Sequence, residues 1–457
     1  MKKETAAESA IKVSAASVRE WIIYIGAFLR WGGIAAVIGG VSGIFGAAFH
    51  EGIGLATDFR QQHPWILWFL PVAGIVIVAV YKLTGTEGLK TDNIINAVHQ
   101  GEKLPVLLLP VIFIGTILTH LFGGSAGREG AALQMGGTIG QWIGRKLHLD
   151  DRDLRVATLA GMAAFFSAIF GTPLAASIFA VMVISIGILY HVALVPSLIA
   201  ALSAYFVATA LGVKPTHFTI EVPELELMIL VRVAALAMLC ALVSILFCGI
   251  MHFAEKEFSR KIPNVWVRAV IGGLLVAIMT ILCGSGSFTC DYNGAGMDII
   301  TAAVEEGKAQ PFAFLLKLVF TAVTLGAGFK GGEVVPSFFV GATFGCVAAP
   351  ILGLPAGFGA AIGLVAVFCG VTNCPISSIF LSVELFGAGG ILYFAVACCI
   401  SFMLSGYNGL YSSQVIMYSK RKAKFINQYT NAASTPDKSG CIVDDAKQDQ
   451  QKVEETK

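Results

Sequence analysis

The sequence predicts an all-α polytopic membrane protein, built from two inverted-topology repeats whose helices are tilted and broken. Three observations lead to this fold class: the chain is strongly apolar, glycines interrupt its apolar runs, and three patches of sequence recur in the same order. Apolar and aromatic residue types make up 56% of the 457 positions, and charged residues make up 13%. Because soluble domains carry about 25% charged residues, this composition excludes an ordinary soluble protein.

The charged residues are concentrated at the two ends of the chain. Of the 31 basic and 29 acidic residues, 14 lie in residues 420–457 and 7 in residues 1–20, which leaves 39 for the 399 positions between them. Basic clusters flank the first and the last apolar segments, so the positive-inside rule predicts that both termini are cytoplasmic. A net charge of +2 with few aromatic residues argues against a nucleic-acid partner.

The apolar runs and the composition of the two ends divide the chain into five parts. Gly occurs 51 times, often inside apolar runs, which suits close helix packing and interrupted helices. The C-terminal part is polar and poor in large apolar residues, so we expect it to be disordered. The parts are a cytoplasmic N-terminal segment (1–20), a first transmembrane repeat (21–212), a linker (213–226), a second transmembrane repeat (227–418) and a disordered cytoplasmic tail (419–457).

Three pairs of similar patches indicate that the two halves are duplicates. The members of each pair lie a little over 200 residues apart, and the pairs follow one another in the same order. Chance could produce one such pair, but three at nearly constant spacing indicate a repeat. Internal repeats of this kind are typical of secondary transporters, whose binding site lies at the repeat interface. The pairs are Asp92–Gly101 with Asp298–Gly307, Gly127–Gly137 with Gly331–Gly341, and Pro173–Phe179 with Pro375–Phe380.

Glu129 is the main candidate for the chemistry of the repeated loops. The segment Gly123–Gly130 lies between two apolar runs, so we expect a loop that enters a helix within the membrane. A helix N-terminus binds anions because its N–H groups are free and its dipole is positive. The Glu129 carboxylate could occupy that position when charged and leave it when protonated or displaced, as a gate and proton carrier. The alternative is a helix-capping acid with Arg128 as its partner.

A second glutamate, Glu333, stands in the matching loop of the second half, in Gly328–Pro336. The sequence alignment of the repeats pairs it with Glu129, so we expect the two carboxylates at matched places. Ionisable residues at membrane depth are rare and usually functional. Two helix N-termini, one from each half, could then converge on one dehydrated anion.

Four motifs follow one another along the chain: the GREG loop (127–130), GTPLAA (171–176), GGEVVP (331–336) and GLYSS (409–413). Together they resemble those of the CLC family of chloride channels and anion/proton antiporters. The resemblance covers residues 21–418 and implies a homodimer with a pore in each subunit and no cofactor. It implies that Glu129 is the gating glutamate, that the backbone N–H groups of Glu333 and Val334 line the anion site, and that the Tyr411 hydroxyl faces the anion. From position alone, Tyr407 or Tyr418 would serve as well as Tyr411.

Two departures from the family pattern bear on the site. The family's usual serine loop is replaced by Gly85–Asp92, in which Thr86, Lys90 or Thr91 could face the anion. Lys90 would supply a charge-assisted hydrogen bond, or it lies in a solvated vestibule instead. The predicted anion-binding residues are Lys90, Thr86, Arg128, Gly130, Val334, Val335 and Tyr411.

The second departure concerns protons. The position of the inner proton glutamate of the chloride antiporters falls on Val183, with Met182 before it. With the serine also missing, the chain resembles the bacterial fluoride/proton antiporter branch, in which Glu333 would be a second carboxylate in the proton path. That branch usually has methionine near the serine position and threonine where this chain has Val335.

The predicted function is therefore secondary transport of a halide, chloride or fluoride, in exchange for protons, in a bacterial plasma membrane. Bicarbonate and nitrate remain alternatives. A passive channel of the same fold is the first alternative function, favoured by Val183. An intramembrane enzyme is a remote one, because the sequence has no HExxH or GxSG motif. The glycine-rich stretches lack the Lys-Ser/Thr ending of a phosphate-binding loop, so no nucleotide site is expected, and residues 420–457 are too short for paired regulatory (CBS) domains.

Overall fold

Two sets of eight helices follow one another along the chain. The computed structural model describes residues 2–284, 290–421 and 425–431, with side chains from residue 19 onward. The first set is α1 (Lys2–Gln62), α2 (Leu70–Leu83), α3 (Thr91–Gln100), α4 (Leu108–Leu121), α5 (Glu129–Lys146), α6 (Asp151–Phe170), α7 (Pro173–Met182) and α8 (Leu194–Ala210). The second set is α9 (Leu227–Lys261), α10 (Val265–Cys283), α11 (Met297–Glu305), α12 (Ala313–Gly326), α13 (Val334–Ala348), α14 (Ala356–Thr372), α15 (Pro375–Phe386) and α16 (Ile391–Leu404).

The two sets match helix by helix, which confirms the predicted two-repeat architecture. Each begins with its longest helix, of 61 residues in α1 and 35 in α9. The third helix is short in both, with 10 residues in α3 and 9 in α11. In each set the fifth helix packs along the sixth, and the eighth returns to pack on the first.

Glycines let the central helices of each half approach closely. A Cβ atom on Gly136 of α5 would overlap the carbonyl oxygen of Gly161 on α6, and one on Gly341 of α13 would overlap that of Gly363 on α14. Small residues at helix interfaces allow this backbone contact within membranes. The same device in both halves places the N-termini of α5 and α13 at the centre of the molecule.

Many helices are shorter than a membrane span. Seven of the described helical stretches are long and apolar enough to cross a membrane, whereas six further apolar stretches have 10–17 residues. A full span requires about 20 residues. Half-length helices therefore end inside the apolar layer, where their free backbone groups can contact an ion.

The two ends of the chain differ from the sequence predictions. The helix α1 runs without a break from Lys2 through residue 21, where we expected the first repeat to begin. The expectation of disorder from residue 419 onward is wrong for residues 425–431, while 422–424 and 432–457 lie outside the described residues. A small sheet also makes the fold not purely α-helical, because β2 (Val415–Tyr418) pairs with β1 (Ser185–Ile186) on one side and with β3 (Phe425–Tyr429) on the other.

Residues 211–226 join the two sets without a helix. This segment is pinned to both halves by backbone hydrogen bonds, from Thr216 to the carbonyl of Phe170 at 3.0 Å and from Phe218 to that of Leu385 at 2.9 Å. The connection therefore follows the surface of both repeats rather than separating them.

Candidate anion and proton site

The loops that enter α5 and α13 pair with each other at the centre of the molecule. The N–H of Gly127 donates to the carbonyl of Gly332, and the N–H of Gly332 donates to that of Gly127, both at 2.7 Å in an antiparallel bridge. A Cβ atom on Gly332 would lie 2.8 Å from the nitrogen of Glu129, so glycine is required there. This pairing brings the two helix N-termini, one from each repeat, together.

The bridge also corrects the register of the two repeats. Because Gly127 faces Gly332, and α5 begins at Glu129 whereas α13 begins at Val334, the structural counterpart of Glu129 is Val334. Glu333 is instead the counterpart of Arg128. The expectation that both glutamates occupy matched places is wrong by one residue, because the sequence alignment followed the two glutamates rather than the contacting glycines.

The Glu129 carboxylate lies between the two helix N-termini. It is fully buried, and its Oε2 accepts the N–H of Arg128 at 3.0 Å and the N–H of Val335 at 3.1 Å. Its Oε1 has no hydrogen-bond partner within the described residues, and the Nε of Arg128 is 4.0 Å away from it. Both helix dipoles favour a negative charge at this position, so a small anion could replace the carboxylate there.

Arg128 donates its backbone N–H to the Glu129 carboxylate, and its side chain extends past that carboxylate towards α1 and α6. Its guanidinium is 2.9 Å from Nδ1 of His50 on α1 and lies 5.9 Å from the ring centroid of Phe170. The arginine therefore anchors the start of α5 to α1 and α6. The N–H of Arg128 hydrogen-bonds the Glu129 carboxylate, whereas its guanidinium approaches that carboxylate only to 4.0 Å.

A cavity of about 250 Å³ lies beside this loop pair, between the two halves. Gly130 lines it, and so does Thr91, whose hydroxyl is 3.5 Å from the Gly130 carbonyl and accepts the amide of Gln134 at 3.2 Å. Its wall is rich in ionisable groups from both repeats. These are Glu87, Lys90, His252, Glu255, Arg268, Lys330 and Glu333.

Thr86, Lys90 and Thr91, the three candidates to replace the serine of the usual family loop, have different environments in the structure. Lys90 forms an ion pair with Glu255, and both side chains are about half exposed at 49% and 51%, as the solvated-vestibule alternative predicts. Thr86 does not line the cavity: it is buried, with its hydroxyl 2.9 Å from that of Thr84. Of these three candidates, Thr91 is therefore the one whose hydroxyl contacts the paired loops.

Lys330 is a cavity residue that the sequence reasoning missed. Its ammonium lies 4.3 Å from the ring centroid of Tyr81, and within the described residues no carboxylate comes within 4.0 Å of it. A cation that contacts a ring face and lacks a carboxylate partner remains free to attract an anion. A lysine inside a glycine-rich loop at membrane depth was the available signal.

Lys317 on α12 was missed as well and has a different environment. It is fully buried, and its ammonium donates to the carbonyls of Tyr292 at 3.1 Å and Gly294 at 2.6 Å. The N–H of Gly294 in turn donates to Gly124 at 3.0 Å. Lys317 thus fixes the loop that leads to Glu129.

Comparison with known proteins gives the identity of the fold. Residues 72–406 match the sequence profile of the voltage gated chloride channel family. The chain belongs to this CLC family. A chloride/fluoride channel protein of Pseudomonas syringae pv. tomato is 39% identical over 396 residues, which cover 86% of this chain and 87% of that protein. A H(+)/Cl(-) exchange transporter ClcA of Yersinia pestis is 27% identical over 398 residues, 77% of this chain and 79% of that one.

Solved structures of the CLC family agree with this assignment. The crystal structure of a CLC-type fluoride/proton antiporter is 31% identical, covers 85% of this chain and 98% of its own, and superposes with a TM-score of 0.81. A slow cyanobacterial Cl⁻/H⁺ antiporter superposes with a TM-score of 0.72 at 19% identity over 82% of this chain and 94% of its own, which supports the fold alone.

Two further features of this CLC protein bear on its proton path. Val183, where the family resemblance implied an inner proton glutamate in the chloride antiporters, follows the end of α7 and is fully buried. At the other end of α7, Glu384 reaches across from α15 and accepts the N–H groups of Leu174 and Ala175, each at 2.8 Å. Glu384, a residue of the second repeat, thus caps the N-terminus of α7 in the first repeat.

Tyr411 lies in the segment between α16 and β2. It is buried, its neighbour Leu410 lines the cavity, and its hydroxyl has no hydrogen-bond partner within the described residues. Its carbonyl accepts the hydroxyl of Thr430 at 2.6 Å. The backbone of Tyr411 is therefore fixed while its hydroxyl stays available.

Proposed function

We propose that this CLC protein is a secondary transporter that exchanges a small halide, fluoride in preference to chloride, for protons. The observation that carries the proposal is the position of the Glu129 carboxylate at the N-termini of α5 and α13. Two helix dipoles favour an anion there. A carboxylate that holds the place of an anion and also carries a proton couples the two ions through one group.

The exchange follows from competition for this position. The charged Glu129 side chain fills it, and an arriving halide takes over the N–H groups of Arg128 and Val335. The displaced side chain then takes up a proton, because a carboxylate that has lost its charge-assisted hydrogen bonds in an apolar surrounding is unfavourable. When Glu129 releases the proton and returns, it expels the halide. One site thus alternates between anion and carboxylate.

The cavity supplies the inner route for both ions. Glu333 stands on its wall at the start of α13 and serves as the second proton-binding carboxylate. Lys330 on the same wall raises the local anion concentration through its charge. Fluoride is small and strongly hydrated, so it requires polar groups such as Lys330 and Thr91 in place of its water. The two relatives whose names include fluoride support this choice.

We further propose that the protein acts as a homodimer in a bacterial plasma membrane, with both termini in the cytoplasm. The family resemblance supports the dimer. The basic residues at both ends of the chain, such as Lys2, Lys3, Lys420 and Arg421, support the orientation.

Purified protein in sealed vesicles tests the exchange. An outward fluoride gradient is imposed, and fluoride efflux and proton uptake are recorded together, with chloride and bicarbonate measured in the same way. We expect uphill proton movement driven by fluoride. Chloride flux well above fluoride flux would overturn the anion preference and leave the exchange intact.

A passive channel of the same fold is the second candidate, favoured by the buried Val183. The same vesicles distinguish it, because a channel passes the anion down its gradient and does not drive protons against theirs. Fluoride efflux without any uphill proton movement would therefore assign the protein as a channel and refute the antiporter.

A further inference from the structure

Residues 425–431, which we name the C-terminal strap, pack onto the segment that carries Tyr411. The strap lies beyond residues 72–406, which match the family profile. Its strand β3 pairs antiparallel with β2, with Val415 opposite Tyr429 and Ile416 opposite Gln428. It is therefore held in place by a strand of the chain itself.

Thr430 connects the strap directly to Tyr411. Its hydroxyl donates to the Tyr411 carbonyl at 2.6 Å, and its N–H donates to the Gln414 carbonyl at 2.9 Å. The side chain of Thr430 is 3% exposed. A bond this short and shielded from water fixes the peptide group of Tyr411 in one orientation.

Asn431 holds the preceding part of the same segment. Its N–H donates to the Tyr407 carbonyl at 3.0 Å, and its side-chain amide pairs with the backbone of Gly409, accepting at 3.2 Å and donating at 3.0 Å. Residues 407–414 are thus bound on one side by two consecutive strap residues.

The opposite side of the segment is bound to the first repeat. Asp92 on α3 accepts both the N–H of Ser413 at 2.8 Å and its hydroxyl at 2.6 Å. Asp92 follows Thr91, which lines the cavity together with Leu410. The Tyr411 segment is therefore held between the strap and the helix at the cavity wall.

We infer that Thr430 and Asn431 are positioning residues that hold the Tyr411 hydroxyl toward the transported anion. This inference rests on the proposed function, since it takes Tyr411 as an anion contact. The hydrogen bond from the Thr430 hydroxyl to the Tyr411 carbonyl prevents the peptide group that follows Tyr411 from rotating. Because the backbone of Tyr411 is then fixed, the direction in which its side chain leaves the backbone is fixed as well. Releasing the strap lets the hydroxyl spread over several directions, which weakens anion binding and discrimination between fluoride and chloride.

The test compares Thr430→Val, which keeps the shape and loses the donor, with Thr430→Ser, which keeps the donor. Thr301→Val is the matched control, because Thr301 makes the same type of bond to the Met297 carbonyl in α11 at 3.1 Å. Anion KM, maximal rate and the fluoride-to-chloride ratio are measured in vesicles. We expect a several-fold higher KM and a lower ratio for Thr430→Val, with Thr430→Ser and Thr301→Val near the unmodified protein. If Thr430→Val has the same anion KM and the same fluoride-to-chloride ratio as the unmodified protein, the inference is overturned.

A second variant and a double mutant separate positioning from general stability. Asn431 has a φ of 62°, so Asn431→Gly removes its amide without straining the backbone, and we expect the same change in KM and ratio. In a Tyr411→Phe background the effect of Thr430→Val should vanish, because the hydroxyl that the strap positions is gone. An undiminished effect in that background, or none from Tyr411→Phe itself, would refute the inference. Proton movement in the unmodified protein is read separately and tests the antiport alone.

Discussion

Glu384 and Glu129 both lie at helix N-termini, and they differ in how completely their oxygens are hydrogen-bonded. Glu384 accepts one N–H of α7 on each oxygen, both at 2.8 Å. Glu129 accepts two N–H groups on Oε2, from the starts of α5 and α13, and its Oε1 is without a hydrogen-bond partner within the described residues. The first carboxylate is satisfied by one helix, and the second is shared between the repeats and half satisfied.

The difference separates a structural carboxylate from one that exchanges. A carboxylate with both oxygens bonded loses charge-assisted hydrogen bonds on every movement, whereas a buried unpaired oxygen already costs free energy in place. Glu333 extends the series, since its side chain takes part in no hydrogen bond within the described residues and stands, partly exposed, on the cavity wall. We therefore expect the two incompletely bonded carboxylates to act in transport and Glu384 not to. Glu129 should matter more than Glu333, because it lies between the N-termini of α5 and α13.

The largest expected effect is that of Glu129→Gln. The amide cannot carry a proton, so proton movement driven by fluoride should disappear while fluoride still crosses passively. Vesicle flux with a pH-sensitive dye and a fluoride electrode measures both ions. Glu384→Gln in the same vesicles is the control and should retain coupling. If fluoride still drives protons in Glu129→Gln, the proton carrier is another residue, and the contrast between Glu129 and Glu384 does not explain the exchange.

Glu333→Gln should have the next largest effect, on protons more than on anions. We proposed Glu333, on the cavity wall, as the second proton-binding carboxylate, so its loss should slow proton delivery and lower the ratio of protons to halide moved. The ratio is obtained from the reversal potential of the exchange. Glu255→Gln, which removes an exposed carboxylate of the same cavity, is the matched control. An equal fall in both variants would mean that cavity charge, not Glu333 itself, sets the ratio.

The same comparison applies to the lysines. Lys317 donates to two carbonyls, whereas Lys330 contacts the Tyr81 ring and no carboxylate. Lys330→Met should raise the halide KM by about tenfold, which corresponds to ~1.4 kcal/mol, with the maximal rate and stability little changed. Lys82→Met is the control, since Lys82 also lies over a ring, that of Trp266 at 5.9 Å, but outside the cavity. A KM unaffected by Lys330→Met would remove Lys330 from the anion path.

The fold and the position of Glu129 were accessible from the sequence because both depend on local patterns. Hydropathy marks the helices, repeated patches mark the halves, and a glycine-rich loop before a helix marks an anion site. Glu384 was not accessible, since its partners Leu174 and Ala175 are about 210 residues away. The sequence predicts disorder for the strap because the strand Phe425–Tyr429 is short and polar. It is ordered because it pairs with β2, and this pairing cannot be read from the composition of the strap itself.

The smallest expected effect on transport is that of Glu384→Gln, which completes the comparison. The amide introduced by this substitution keeps one oxygen that can accept a backbone N–H at the start of α7, but its NH₂ group faces the other N–H and cannot accept it. The start of α7 therefore loses a charge-assisted hydrogen bond worth about 1–3 kcal/mol. The thermal unfolding midpoint in detergent should fall, and the ratio of protons to halide should stay unchanged. Glu305→Gln is the matched control, since Glu305 accepts one exposed N–H, from Thr219 at 2.9 Å, and should unfold like the unmodified protein. Lost coupling at unchanged stability would show that a fully bonded carboxylate can also carry protons, and the number of bonded oxygens would no longer distinguish the two roles.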